Sequence, residues 1–218
     1  MAQTLPPPGV ELPAKFGDID IYLFDQLLRG RFDRRPRVLD AGCGGGRNLM
    51  YFLRRGFTCF GVDRDPAAIE QVRAFAAQLA PDLPLSNFRA GELDHLPWED
   101  ASMDAVVCSA VLHFSSDLAH FDRIVQELWR VLAPGGMLFA RLASNIGLEA
   151  AIGPAGRTVR LPDGSDRFVV DQAILLDRTR QLGGQLLDPL KTTNVQQQRC
   201  MTTWCVRKGS DESSVVSR

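Results

Sequence analysis

Lysine is scarce in this chain. Only Lys15, Lys191 and Lys208 occur, so arginine carries nearly all of the positive charge. With 25 basic and 26 acidic residues the formal net charge is −1, which argues against a broad nucleic-acid surface. No apolar run approaches the ~20 residues that a bilayer-spanning helix needs, and no membrane partner is expected. The start, Met-Ala-Gln-Thr-Leu-Pro-Pro-Pro-Gly, has neither the charged nor the apolar region of a secretory signal. Histidine is limited to His95, His113 and His120, and cysteine to Cys43, Cys59, Cys108, Cys200 and Cys205. Neither type clusters at ligand spacing, so no metal site is expected. An odd number of scattered cysteines without an export signal points to a reduced, cytoplasmic setting. There are no internal repeats, and 218 residues suit one domain with a substantial core.

What the chain does have is a concentrated glycine run. An apolar strand, Arg37-Val38-Leu39, meets Asp40 and then Gly42, Gly44, Gly45 and Gly46. A second apolar run from Phe57 to Val62 ends on Asp63, 21 positions after Gly42. This is a β-α-β unit with a glycine-rich first turn and an acid at the second strand tip, where a ribose hydroxyl would be read. Gly42 and Gly44 match the first two glycines of the dinucleotide fingerprint, but Arg47 stands where the third should be.

The run Asp40-x-Gly42-x-Gly44-x-Gly46 instead resembles motif I of the class I S-adenosylmethionine-dependent methyltransferases, with Asp63 as the ribose-binding acid. The likeness continues through Gly91-Glu92-Leu93-x-x-Leu96-Pro97-Trp98, Met103-Asp104-Ala105-Val106-Val107-Cys108-Ser109 and Leu128-x-Arg130-Val131-Leu132-x-Pro134-Gly135-Gly136. It covers roughly residues 36–144. Gly-Arg47-Asn48 is also similar to the tellurite-resistance-type group of small-molecule methyltransferases.

The resemblance implies a cofactor, S-adenosyl-L-methionine, with S-adenosyl-L-homocysteine as product. It also implies cofactor-binding roles for Asp40, Gly42, Cys43, Gly44, Gly46, Asn48, Asp63, Arg64, Glu92, Leu93, Ser109 and Ala110. Asp40 would order the glycine loop near the ligand's amino group, and Asp63 would accept from the ribose 2′ and 3′ hydroxyls. Arg64 either lies over the adenine edge or is a plain exposed arginine. Glu92 and Leu93 would meet the adenine, and Ser109 and Ala110 the methionine part. His113 is the candidate catalytic residue, as base or acceptor-orienting group, with a satisfied structural histidine as the alternative, and Arg141 on strand five either points to an anionic substrate or meets a helix. The Asn/Asp-Pro-Pro-Tyr/Phe sequence of base- and glutamine-modifying relatives is missing after strand four, which reads Cys-Ser-Ala-Val-Leu-His. The expected acceptor is therefore a small molecule, and the expected assembly a monomer or homodimer. Two rivals remain: a non-catalytic S-adenosylmethionine-binding partner module, and a nicotinamide-dependent oxidoreductase.

The implied fold is an α/β, Rossmann-like three-layer sandwich. Its seven-stranded sheet is mostly parallel and closes with a C-terminal antiparallel hairpin. Residues 1–14 are expected to be flexible, 15–208 to form one domain, and 209–218 a loose tail. Apolar spacing predicts one leading helix from Phe16 to about Gly30. A helix is expected to start within the glycine turn, another at Asp65-Pro66, a third strand over Leu85–Arg89, and a long helix over about 116–132. Pro134-Gly135-Gly136 should turn the chain into strand five at Met137. Asp163-Gly164 predicts a hairpin within an inserted lid over residues 145–170. A helix from Asp171 and closing strands over about 185–195 and 199–207 complete the reading.

Overall fold

The structure, a computed structural model, describes residues 11–210; expectations for 1–10 and 211–218 lie outside them. In chain order the elements are α1 (Glu11–Phe16), α2 (Ile21–Leu28), β1 (Arg37–Ala41), α3 (Met50–Arg54), β2 (Thr58–Asp63), α4 (Pro66–Leu79), β3 (Phe88–Ala90) and β4 (Met103–Ser109). There follow α5 (Leu118–Val131), β5 (Leu132–Ser144), α6 (Glu149–Ile152), β6 (Arg157–Arg160), β7 (Asp166–Val169), α7 (Gln172–Gln181), β8 (Gly184–Leu186), β9 (Lys191–Val195) and β10 (Arg199–Lys208).

Strand alternation builds the layers. Leu39 and Ala41 of β1, Val106 and Cys108 of β4, and Leu138, Ala140 and Leu142 of β5 face one core, together with Phe121, Val125 and Leu128 of α5 and Leu175 of α7. Their neighbours Val38, Ala105, Val107, Met137 and Phe139 face the other, against Leu23 of α2, Phe52 and Leu53 of α3, and Ile69, Val72 and Ala76 of α4. Each such large apolar side chain, fully buried, contributes about 1.5–3 kcal/mol. The main path of the sheet runs β3-β2-β1-β4-β5-β10-β8, seven strands as expected, with β9 added as an eighth beside β10. The strands from β3 to β5 pair in parallel, and β10 runs antiparallel to β5, β8 and β9. β1 is thus flanked by β2 on one side and β4 on the other. Its carboxyl end is the switch point at which open α/β sheets bind ligands.

Caps set the helix starts. Asp65, Asp117 and Asp171 each accept a backbone N–H at the start of α4, α5 and α7. Several boundaries differ from expectation. The leading helix is two helices, and α1 already covers residues 11–14; Asp20 starts α2 by accepting the Tyr22 N–H at 2.9 Å. The glycine turn itself is not helical, because Gly42, Gly44 and Gly46 hold φ of +77°, +48° and +82°, and α3 begins only at Met50. Leu85–Asn87 form a 3₁₀ turn, leaving β3 to Phe88–Ala90. Ala133–Gly136 are a bulge within β5 and not a turn before it: Met103 pairs with Leu132 and Ala105 with Met137. The predicted strand over 185–195 is two strands, separated around Pro189. The Asp163-Gly164 hairpin forms as read, β6 pairing with β7 from Arg157–Val169 to Arg160–Asp166. Among the described residues no helix is long and apolar enough to cross a membrane.

Candidate functional site

The carboxyl ends of β1, β2 and β4 surround a cavity of about 420 Å³. The β1 turn forms its floor. The N–H groups of Gly42 and Cys43 donate to the Val62 carbonyl at 2.8 and 3.0 Å, which folds the turn back over β2. Glycine is required at 42 on two counts. Its φ is left-handed, and a Cβ there would lie 2.4 Å from a Val111 methyl.

Of the residues named from sequence, Gly42, Cys43, Gly44, Asn48, Asp63, Arg64, Glu92, Leu93, Ser109 and Ala110 all line this cavity. Asp63 is held at its rim. The Gly44 N–H donates to Oδ2 at 2.8 Å and the Asp65 N–H to Oδ1 at 3.0 Å. A carboxylate offers about four acceptor positions, so one lone pair on each oxygen stays available for a further donor. That is the arrangement a vicinal diol requires.

Asp40 and Gly46 stand behind the wall. Gly46 packs on α4, where a Cβ would meet Val72 at 3.1 Å, so its glycine serves helix packing. Asp40 is 1% exposed, and among the described residues neither of its carboxylate oxygens has a hydrogen-bond partner. Burial pushes its carboxyl up to about 7; Arg47 partly offsets this and Asp63 adds to it. A carboxylate left without a partner at this depth is costly unless a cation or donor completes it.

The leading helices reach the site through Asp20, which sequence reasoning passed over inside a continuous helix. Its Oδ2 accepts from the Ser109 hydroxyl at 2.7 Å and from Arg141 Nη1 at 3.4 Å, with Arg47 Nη2 at 3.8 Å. The Asp20 N–H donates to Asn48 Oδ1 at 3.0 Å. Arg47 and Asn48 therefore meet the N-terminus of α2 as well as the cavity. The residues after β4 were also under-read: Val111, Phe114 and Ser115 line the cavity. Their signal was position, directly beyond the strand-four tip.

His113 is the residue that does not join the others. It is 6% exposed and lines a neighbouring cavity of about 240 Å³, which shares Ala110 with the first. Ala110 has a left-handed φ of 63°, and the 3₁₀ turn Leu112–Phe114 follows it. Phe114 consequently lines one cavity and His113 the other. Burial first, then Arg167 and Arg141, lower the His113 imidazole to about 4, so it is neutral near pH 7, with Nδ1 unpartnered. All five cysteines are buried free thiols. Burial raises each of them, and none is poised as a nucleophile.

Residues 39–140 match the methyltransferase domain family. An uncharacterized methyltransferase of Bacillus subtilis, YodH, is 35% identical over 115 residues, which are 53% of this chain and 43% of the relative. The chain spans less than half the length of curated relatives that it matches. Among solved structures, the PH0226 protein of Pyrococcus horikoshii superposes with a TM-score of 0.66 at 17% identity, covering 90% of this chain and 95% of that one. The 1,6-didemethyltoxoflavin-N1-methyltransferase of Burkholderia thailandensis, solved with 1,6-didemethyltoxoflavin and S-adenosylhomocysteine, gives 0.61 at 18% identity, covering 96% of this chain and 93% of that one. At these identities the structural likeness speaks to the fold.

Proposed function

We propose that the chain is a class I S-adenosylmethionine-dependent methyltransferase and that it methylates a small-molecule acceptor. The observation that carries the reading is the pair of acids bracketing the glycine turn: Asp40, buried without a partner, and Asp63, with one lone pair free on each oxygen. An ammonium over the glycine turn would be favoured by the charge of Asp40 behind it and a ribose diol by Asp63 at the rim, and S-adenosylmethionine has both groups. Asp40 would balance the ammonium through the glycine turn, and Asp63 would accept the two hydroxyls. Glu92 and Leu93, which line the cavity beyond β3, would meet the adenine, and Arg64 borders the cavity beside Asp63. Ser109 and Ala110 would border the methionine portion.

Bound S-adenosylmethionine supplies a methyl carbon made electrophilic by its sulfonium charge. The protein's share is alignment and the exclusion of water. Ala110 stands between the cofactor cavity and the cavity lined by His113, a suitable junction for an acceptor approaching the methyl group. His113, lowered to about 4, is a weak base at neutral pH and suits orienting an acceptor through a hydrogen bond better than removing its proton. The β6–β7 hairpin would act as a lid over that side.

The test is S-adenosylhomocysteine release with a panel of phenols, amines, thiols, carboxylic acids and metalloid oxyanions. Release that depends on one acceptor class supports the proposal. Tight cofactor binding with no release across the panel would favour the non-catalytic partner module.

A further inference from the structure

We propose that the acceptor is an anion, carrying a carboxylate or phosphate group that Arg141, Arg167 and Arg199 hold in the cavity adjoining Ala110. The inference rests on the methyltransferase reading only for identifying this ligand as the acceptor; the anion site itself stands on the geometry that follows.

The cavity is about 240 Å³ and its walls come from β5, the β6–β7 hairpin and the facing ends of β9 and β10. Among the described residues three guanidinium groups line it against one carboxylate, Asp163, which is 3.6 Å from Arg199. His113 is neutral there, so the lining carries an excess of positive charge. The guanidinium groups are also held in place. Arg141 is braced by Asp20 at 3.4 Å and lies over the Tyr22 ring at 4.8 Å from its centroid. Arg167 lies over the Phe114 ring at 5.0 Å. Arginines fixed in this way lose little freedom when a planar or tetrahedral anion binds.

Two further polar atoms lack partners here. Arg141 Nε and His113 Nδ1 are both buried, both without a partner among the described residues, and both belong to residues lining this cavity. Buried polar atoms normally have partners, and one oxyanion could satisfy the guanidinium while the acceptor's body contacts the imidazole. Leu161, Ala143 and Met201 supply apolar surface for that body.

Position separates this site from the part of the chain that the methyltransferase domain family matches. All three arginines lie after residue 140, where the match to the methyltransferase domain ends. A cavity built by the lid hairpin and the last strands is where a chain can set its own acceptor while keeping the common cofactor turn.

The experiment is calorimetric titration of the full chain saturated with S-adenosylhomocysteine, using inorganic phosphate, benzoate and the neutral isostere benzamide. At least one of the two anions should bind, at least about tenfold tighter than benzamide, and the tighter of them identifies the headgroup. R167Q and R199Q should each weaken that anion about fivefold or more without changing S-adenosylhomocysteine affinity, and R199K should retain most of the binding. Equal binding of benzoate and benzamide, anion affinity unchanged in both glutamine variants, or no anion binding at all would overturn the proposal. Anion binding that survives while S-adenosylhomocysteine fails to bind would keep the anion site and sink the cofactor reading instead.

Discussion

Replacing Asp40 with Asn should make the ligand-free protein more stable and the cofactor site weaker. Asp40 is buried with both oxygens unpartnered, and its carboxyl is raised from 3.8 to about 7. Below 3.8 the group is protonated in folded and unfolded chains alike and has no effect on stability. Between 3.8 and 7 the unfolded chain releases the proton that the folded chain keeps, so stability falls as pH rises. Above 7 the cost is constant. A shift of about 3 units at 1.36 kcal/mol each sets a ceiling of about 4 kcal/mol. Asn carries no charge to desolvate, so the advantage of D40N over the native chain should grow across that window and level off above pH 7. Urea denaturation without ligand, at steps from pH 4 to pH 8.5, reads the difference directly. The same variant should bind S-adenosylmethionine several-fold more weakly, from the loss of the negative charge behind the glycine turn. A stability difference that stays flat across the pH range would refute the reasoning, because Asp40 would then not be the buried group that titrates.

Asp63→Ala should raise the S-adenosylhomocysteine dissociation constant about 10- to 100-fold through lost charged hydrogen bonds, with the circular dichroism spectrum intact; unchanged affinity removes Asp63 from the site. Gly42→Ala should be destabilised, since the φ of +77° costs a side chain ~1–2 kcal/mol and its Cβ would press on Val111 at 2.4 Å; a native melting temperature would show the turn to be tolerant. Asp20→Ala removes the acceptor for Ser109, Arg141 and the α2 cap. It should cost about 1–3 kcal/mol and speed proteolysis in the 29–36 connector, whereas an unchanged cleavage rate would mean that α2 is held by its apolar face alone.

Legibility in the sequence followed the range of the interactions involved. The β1–turn–β2 unit, the Asp65-Pro66 helix start and the Asp163-Gly164 hairpin were readable because neighbouring residues determine them. The segments Leu96–Trp98 and Arg130 were recognised together, and the structure gives the reason: Arg130 donates to the carbonyls of Leu96 at 3.0 Å and Trp98 at 2.8 Å. The break between α1 and α2 had a local signal in Asp20, which caps α2 through the Tyr22 N–H, but its other partners lie 28, 89 and 121 positions away and the apolar spacing runs across it. The side of the wall on which His113 falls depends on one left-handed residue, Ala110, which a pattern of apolar spacing cannot reveal. Arg141 could be read from strand five as a contact for an anionic substrate, but Arg167 and Arg199 could not, because the three lie on strands that meet only in the folded chain. The split of the 185–195 run lies at Pro189, which offers no N–H to a sheet.

The most direct test of the central claim is calorimetric titration of the purified protein with S-adenosylmethionine and S-adenosylhomocysteine, with NADH as control. The glycine turn bracketed by Asp40 and Asp63 predicts micromolar binding of both, one per chain, and none of NADH. Stoichiometric NADH binding without S-adenosylmethionine binding would contradict it.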